Sequence, residues 1–493
     1  MAKPDNKVMF VDTTLRDGPQ ALWSLSMRTN MMLLIAETID EVGYQAVEIM
    51  SSAEFKKCIR DLKEDPWERL RLVRERMNKT PLRFIRGRYM STFQIEPDSV
   101  APLWTERLAA NGIRQMRVSD CSNTVDQWRK QVTEAKKFGI GIVLNLIYSL
   151  SPKHTDEYYA ERTRQAAALA PDGLCLKDPG ALITPERVKT LVPIVLANAN
   201  GLPVEFHTHC VTGLGPLCYF EAIKLGMKCV NTAVPPLADG ASNPSILNVI
   251  ANARAIGITP EVNEALLEKI EKHFTTIAER EGFPIGRPLA YDHTQYLHQV
   301  PGGMISNFRY HLSKVGMADR LQAVLEETAR VREDLGHPIM VTPYSQFVGT
   351  QAALNVIAGE RYKIISDEVI LYALGFWGEE ESTSMDPNIR DRIVSSPRAK
   401  ELAKWELPQP SLNEVRQRYG GPGVSDDELL LRLSADKESV DSLRAAGPSK
   451  PLNGEPSALL RLVEQLNRSK GCRQIRIQKE GLSVTLHRSE ERP

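Results

Sequence analysis

Two histidines separated by one residue, His207 and His209, are the first groups in this sequence that could do chemistry. Alternate residues of a β-strand share a side, so both imidazoles would project from one face. Two imidazoles with a carboxylate close by form a binding set for a divalent cation. A bare His-x-His is more often structural; here its company favours metal. Apolar, β-rich runs end on or just before Asp12 and Asp17, Glu48, Arg86, Asp120, and Lys177 with Asp178. Lys177 beside a cation would be repelled unless neutral, and burial favours the neutral amine. A neutral amine can take up CO₂ as a carbamate, which is an anionic metal ligand. A salt bridge to Asp178 or another carboxylate is the commoner use of such a lysine, and spacing alone leaves both readings open.

These groups need a frame that brings them together. Eight short apolar runs precede residue 235: VMFVDTTL from Val8, AVEIM from Ala46, LRFIRG from Leu82, QMRVSD from Gln115, GIVLNLIYS from Gly141, GLCLKD from Gly173, PVEFHTH from Pro203 and CVNTAV from Cys229. They recur about every 32 residues, enough for one strand and one crossover helix. The segments between them, such as Asp126–Phe138 and Pro185–Asn198, have helical periodicity. Eight such units predict a (β/α)₈ barrel, whose reactive groups gather at the C-terminal ends of the strands. The rival is a doubly wound α/β sheet, which should carry a phosphate fingerprint after the first strand. The Gly213-Leu214-Gly215 run follows the seventh strand instead and has Cys218 where a third Gly or Ala belongs, so it reads as a tight turn.

Beyond residue 258 the pattern changes to amphipathic helices. The expected organisation is an α/β barrel over 1–257, a mainly helical domain over 258–442, a Pro/Gly-rich linker over 443–456 and a small αββ tail over 457–493. In the tail a helix, SALLRLVEQLNR, precedes two alternating runs joined through Lys479-Glu480-Gly481, a hairpin signal. With 62 Lys+Arg against 62 Asp+Glu the 493-residue chain has no net charge, which argues against binding nucleic acid through phosphate electrostatics. No apolar stretch is long enough to span a bilayer. MAKPDNK lacks a secretory apolar region, and seven cysteines without a Cys-x-x-Cys pair suit a reducing cytoplasm.

Several separated motifs carry a resemblance. Thr14-Leu15-Arg16-Asp17 with Gln20, Asp65-Pro66-Trp67-Glu68-Arg69, Ser151-Pro152-Lys153-His154-Thr155, Leu176-Lys177-Asp178, His207-Thr208-His209, Gln299-Val300-Pro301-Gly302-Gly303-Met304 and Val341-Thr342-Pro343 all lie in one order. Over roughly residues 8–400 the chain resembles the carboxyltransferase domain of biotin-dependent 2-oxo acid carboxylases. That group includes pyruvate carboxylase, the oxaloacetate decarboxylase α chain and the transcarboxylase central subunit. The resemblance implies that Asp17, His207, His209 and carbamylated Lys177 hold a divalent transition metal (Zn, Mn or Co). It implies that Gln20 and Arg86 bind a small 2-oxo acid such as pyruvate or oxaloacetate, and that Thr342 moves a proton between the substrate methyl carbon and biotin N1. The cation would stabilise an enolate that takes up CO₂ released from carboxybiotin.

The sequence also departs from that pattern. Pro19 stands where the family has His, Ser26 where it has Arg, Phe93 where it has Tyr, Cys210 where it has Asp and Pro179 where it has Met. The metal set is complete and the changes fall on the substrate side, which leaves the acceptor open. Met227-Lys228-Cys229, at the start of the eighth run, is a poor match to a biotin-acceptor motif, and no ATP-binding domain fits the remaining length. The resemblance thus implies biotin supplied in trans, with a biotin carboxyl carrier protein and a biotin carboxylase as partner chains and a homodimer or higher oligomer of this chain. The tail also resembles the segment preceding the linker in acetyl-CoA-type biotin carriers, which suggests a docking role. Leu15-Arg16-Asp17-Gly18-Pro19-Gln20 resembles the opening motif of hydroxymethylglutaryl-CoA lyases as well, so a metal-dependent aldol lyase is the alternative. Those enzymes lack the strand-six lysine and the helical domain with Pro-Gly-Gly. A non-catalytic scaffold would have lost its metal ligands, and here they are complete.

Overall fold

The computed structural model describes residues 6–90, 96–300, 312, 316–404, 409–449, 474–479 and 482–487. Eight parallel strands form at the expected places: β1 Lys7–Asp12, β2 Ala46–Ser51, β3 Leu82–Gly87, β4 Gln115–Ser119, β5 Gly141–Ile147, β6 Gly173–Asp178, β7 Val204–Thr208 and β8 Cys229–Thr232. Each strand from β2 to β7 pairs with the next in sequence, and β1 pairs with both β2 and β8. The sheet therefore closes into a (β/α)₈ barrel, which excludes the open doubly wound alternative.

The helices around it start where the sequence supplies a cap. Asp65 accepts from the main-chain N–H of Trp67 and Glu68 at the head of Pro66–Arg76, Thr155 from Tyr158 at Asp156–Ala168, and Thr184 from Arg187 at Pro185–Asn198. Each cap satisfies an N–H that the first turn leaves free. Apolar stripes, such as Trp128, Val132 and Ala135 of Val125–Lys137, bury against the outer face of the strands.

After the barrel the helices Leu321–Asp334, Tyr344–Ala358 and Asp367–Ala373 build a second core around Tyr344, Phe347, Tyr372 and Trp377, with Cys121 from the exit of β4 packed into it. Arg332 donates to the Leu150 carbonyl and the Ser149 hydroxyl, and Gln299 Nε2 to the same carbonyl, so two side chains hold the exit of β5. Residues 443–446, where the sequence suggests the start of a linker, form the last turn of the helix Lys437–Ala446; Leu443 is buried and Arg444 pairs with Asp65 and Glu428. The chain divides into two compact units, Met1–Pro448 and Ser449–Pro493. In the second, Gln474–Lys479 pairs antiparallel with Leu482–His487. Its turn residues Glu480 and Gly481, and the tail helix expected before it, lie outside the described residues. Among the described residues no helix is long and apolar enough to cross a membrane.

Candidate metal centre

Asp17 opens the short helix Asp17–Leu22 that follows β1, His207 lies in β7, and His209 is the first residue past that strand. Their ligand atoms converge: Asp17 Oδ2 is 3.2 Å from His207 Nε2 and 3.3 Å from His209 Nε2, and all three residues are buried. His209 Nδ1 lies 2.6 Å from the Ala241 carbonyl, to which it can only donate, so Nε2 is the nitrogen left to meet a cation. Asp17 Oδ2 is a buried oxygen without a hydrogen bond, although Arg16 Nη2 lies 2.7 Å away. An orphaned carboxylate oxygen between two imidazole nitrogens fits a divalent cation.

Lys177 is the register partner of His207 on the neighbouring strand, and its Nζ lies 3.3 Å from Ser119 Oγ. Burial, with Arg117 and Arg16 nearby, pulls its amine down from 10.5 to about 8 against the pull of Asp17 and Glu48. The alternative salt bridge to Asp178 does not form. Asp178 faces the other side of β6 and accepts from the N–H of Leu182 and Ile183 and from the Thr208 hydroxyl.

Below the convergent trio the lumen is polar. Arg83 of β3 grips Glu205 of β7 with two nitrogens at 2.6 and 2.8 Å, and Asn231 Nδ2 of β8 donates to Glu205 at 3.0 Å. Arg117 of β4 reaches Glu48 of β2 at 2.7 Å and also bonds Asn231; Arg16 reaches the same Glu48 at 2.6 Å. Arg83–Glu205, Arg117–Glu48 and Arg117–Asn231 each join strands that are not neighbours, so these contacts run through the lumen. Three guanidinium groups face the two carboxylates Glu48 and Glu205 here, and Asp17 beside Arg16 supplies the third negative charge. Burial alone would raise the Glu48 carboxyl, yet Arg117 and Arg16 hold it down at about 2. Asp17 is likewise held well below the usual carboxylate range by Arg16 and the two histidines despite its burial. Burial and then Arg117 push His207 down to about 3, so its imidazole is neutral.

The other expected site residues fare differently. Gln20 is exposed one turn after Arg16, and its Oε1 accepts from Arg16 Nη1 at 3.1 Å. Arg86 is not brought to the centre, which corrects its expected role as the acceptor clamp. Its guanidinium bonds Glu134 at 2.8 Å and Thr105 at 3.0 Å, both on helices outside the barrel. The reason is parity: Arg83 points into the lumen, and a residue three positions on along a strand points out. Thr342 is exposed just before the helix Tyr344–Ala358, where its Oγ1 accepts from Gln346 Nε2 at 2.9 Å. No hydrogen bond joins it to the trio among the described residues. Asp12 and Asp120 are occupied by Thr14 and by Arg88 with Thr124. Phe93 and Pro301–Met304 lie outside the described residues. Glu48, noted only as a strand end, proves to be the hub of the ladder. Asn231 and Arg117 were missed, although a polar residue amid the apolar runs CVNTAV and QMRVSD was the available signal.

Comparison with known proteins places this architecture. A family model for a conserved carboxylase domain matches residues 296–454. A pyruvate carboxylase subunit of Methanocaldococcus jannaschii is 34% identical over 455 residues, covering 91% of this chain and 80% of its own length. The 2-oxoglutarate carboxylase large subunit of Hydrogenobacter thermophilus is 33% identical over 436 residues, covering 87% of this chain and 67% of its own. The carboxyl transferase domain of Rhizobium etli pyruvate carboxylase shares the fold, with a TM-score of 0.80 at 23% identity over 98% of this chain and 84% of that one. The chain belongs to the carboxyltransferases of the biotin-dependent carboxylases.

Proposed function

We propose that this carboxyltransferase moves a carboxyl group between carboxybiotin, borne on a separate carrier protein, and a small 2-oxo acid. The observation that carries the reading is the convergence of Asp17 Oδ2, His207 Nε2 and His209 Nε2 beside a lysine poised near neutrality. These three residues, with Lys177 as its carbamate, would hold a divalent cation; nitrogen and oxygen ligands of this kind suit Zn, Mn or Co better than Mg. When bound, the cation supplies Lewis-acid polarisation of the acceptor carbonyl. The chain's own residues do the rest. Arg16, next to Asp17 and bonded to Gln20, is the guanidinium placed to meet the acceptor carboxylate, the role first expected of Arg86. The exposed Thr342 hydroxyl is open to a biotin arriving from outside and would exchange a proton with its N1.

The carrier and the carboxylase are proposed as separate chains because a relative 34% identical to this chain is named as one subunit of a carboxylase. Six described cysteines, all free and buried, suit work in a reducing cytoplasm. Two relatives of almost equal identity are named for different 2-oxo acids, so the acceptor is set by residues around the centre rather than by the ligands. The test is kcat/KM for transfer from a carboxylated carrier across a panel of 2-oxo acids and acyl thioesters. A small 2-oxo acid is the expected best acceptor; turnover of a thioester alone overturns the acceptor while leaving the fold and family intact.

The clamp assignment has its own check. Arg86→Met is expected to leave the acceptor KM within about twofold and to lower unfolding stability by about 1–3 kcal/mol, because Glu134 loses its buried hydrogen-bond partner. A large rise in KM with unchanged stability would return the clamp to Arg86.

A further inference from the structure

We infer that residues 284–294 form the face on which two copies of this chain associate, crossing antiparallel about a two-fold axis between Leu289 and Ala290. The segment joins the helix Leu267–Glu281 to the short helix Gln295–His298 and is itself neither helix nor strand. It lies over loops at the exits of three strands. Trp23, just past the helix Asp17–Leu22, donates from Nε1 to the Pro284 carbonyl at 2.9 Å. The Gly286 N–H donates to the Pro236 carbonyl beyond β8, and the Asp292 N–H to the Thr212 carbonyl beyond β7. Close approach is built in: a Cβ at Gly286 would come within 1.9 Å of the Ala238 carbonyl oxygen, and one at Gly213 within 2.6 Å of the Leu289 carbonyl oxygen.

The main chain thus rests on the barrel loops and the side chains face water. Ten of the eleven residues are exposed, Gly286 being the exception. Ile285, Leu289 and Tyr291 are 40, 47 and 61% exposed, and Leu297 in the next helix is 68% exposed. Only ten large hydrophobic residues are exposed among the described residues, and four fall within this stretch. Scattered single residues are ordinary on a monomer; a cluster on one segment marks a contact surface.

Charge identifies the occupant. Arg287 and Asp292 are the only Lys, Arg, Asp or Glu residues from 283 to 298, and they stand equally far from the midpoint between Leu289 and Ala290. In a two-fold interface residue i meets j and j meets i. Two antiparallel copies therefore set each Arg287 beside Asp292 of the partner subunit, Leu289 against Ala290 at the axis, and Pro288 against Tyr291. Asp292 accepts from Thr294 through Oδ1, which leaves Oδ2 for the arginine. The main-chain groups of Leu289, Ala290 and Tyr291 make no hydrogen bond among the described residues, so they can bond across the axis. A segment complementary to its own reverse suits a second copy and gives a foreign partner no advantage.

The test is sedimentation equilibrium of the full-length chain at low salt, where charge pairs are least screened. Mass is read without metal or acceptor, so the result is separate from the carboxyltransfer reading. The wild type should be a dimer. Leu289→Asp, which sets a carboxylate on each side of the axis, should raise the dimer Kd at least about 100-fold with circular dichroism unchanged. Arg287→Asp and Asp292→Arg each oppose like charges at both symmetry-related positions and should raise it about tenfold. Combining them should return Kd to within about threefold of wild type. Ile357→Asp, at an exposed apolar residue of another helix, should change nothing. A wild type that is monomeric at micromolar concentration overturns the inference. So does a dimer unmoved by Leu289→Asp, or a double swap that fails to rescue the single ones. A monomer whose transfer from a carboxylated carrier collapses in Leu289→Asp also overturns it and assigns the segment to the carrier.

Discussion

With His207 and His209 both replaced by alanine, the purified chain is expected to carry no divalent metal and to transfer carboxyl groups at least about a thousandfold more slowly. The two imidazoles supply two of the three ligand atoms that converge among the described residues, and what remains is an Asp17 carboxylate already facing Arg16. Polarisation of a carbonyl by a bound cation contributes several kcal/mol to the transition state. Losing about 4 kcal/mol corresponds to about three decades in rate. The barrel should survive, because the change deletes two rings and leaves the Arg83–Glu205 and Arg117–Glu48 pairs in place. The loss in stability should be no more than about 2–5 kcal/mol, the usual range for large-to-small changes in a core. Elemental analysis, kcat and circular dichroism on the same preparation check all three. Stoichiometric metal in the double variant, or a rate within tenfold of wild type, would show that the centre lies elsewhere.

Lys177→Met should do two opposite things: abolish transfer and make the metal-free chain more stable at neutral pH. The folded amine has been pulled from 10.5 to about 8, chiefly by burial and by Arg117 and Arg16. Below pH 8 the lysine is charged whether folded or unfolded, and the native state carries the full cost of burying that charge, about 3 kcal/mol at 1.36 kcal/mol per pK unit. Between pH 8 and 10.5 the unfolded chain binds more protons than the native one, so wild-type stability rises with pH. Above 10.5 the cost is gone. Methionine has no charge to bury, so its advantage should be largest at pH 7, shrink through that window and vanish beyond it. Denaturant unfolding of metal-free wild type and variant at pH 7, 9 and 10.5 reads the difference directly. An advantage that does not change with pH would trace to packing instead.

The barrel was legible because strand and helix signals alternate with a steady period, and because caps such as Asp65 and Thr184 mark where helices start. His207, His209 and Asp17 were legible for a related reason: each lies at or just beyond the end of a β-rich run, where barrel chemistry gathers. The polar ladder was not. Arg83 and Glu205 are 122 residues apart, and nothing in LRFIRG or PVEFHTH says that the arginine of one meets the glutamate of the other across the lumen. The clamp role of Arg86 came from family likeness, which does not ask which face of the strand the residue shares. Two arginines three positions apart in one strand must part company, and the contact with Glu205 decides which turns inward. Thr342 came from family likeness alone, and its exposure could not be read from the sequence around it.

The ladder also determines how this enzyme can be changed. Arg16, Glu48, Arg117, Asn231, Glu205 and Arg83 share partners in sequence, so altering any one leaves another buried charge or amide without its complement. A broken buried pair typically costs about 3–5 kcal/mol, a large part of a domain's whole stability margin. Single substitutions there would be removed by selection before they could be tried for a new acceptor, and the interior can drift only by coordinated double changes. Gln20 is exposed and meets the ladder through Arg16, so it can vary alone. Diversification of acceptor preference, natural or in the laboratory, should therefore run through the barrel mouth while the lumen stays fixed. A library aimed at a new 2-oxo acid belongs at the mouth.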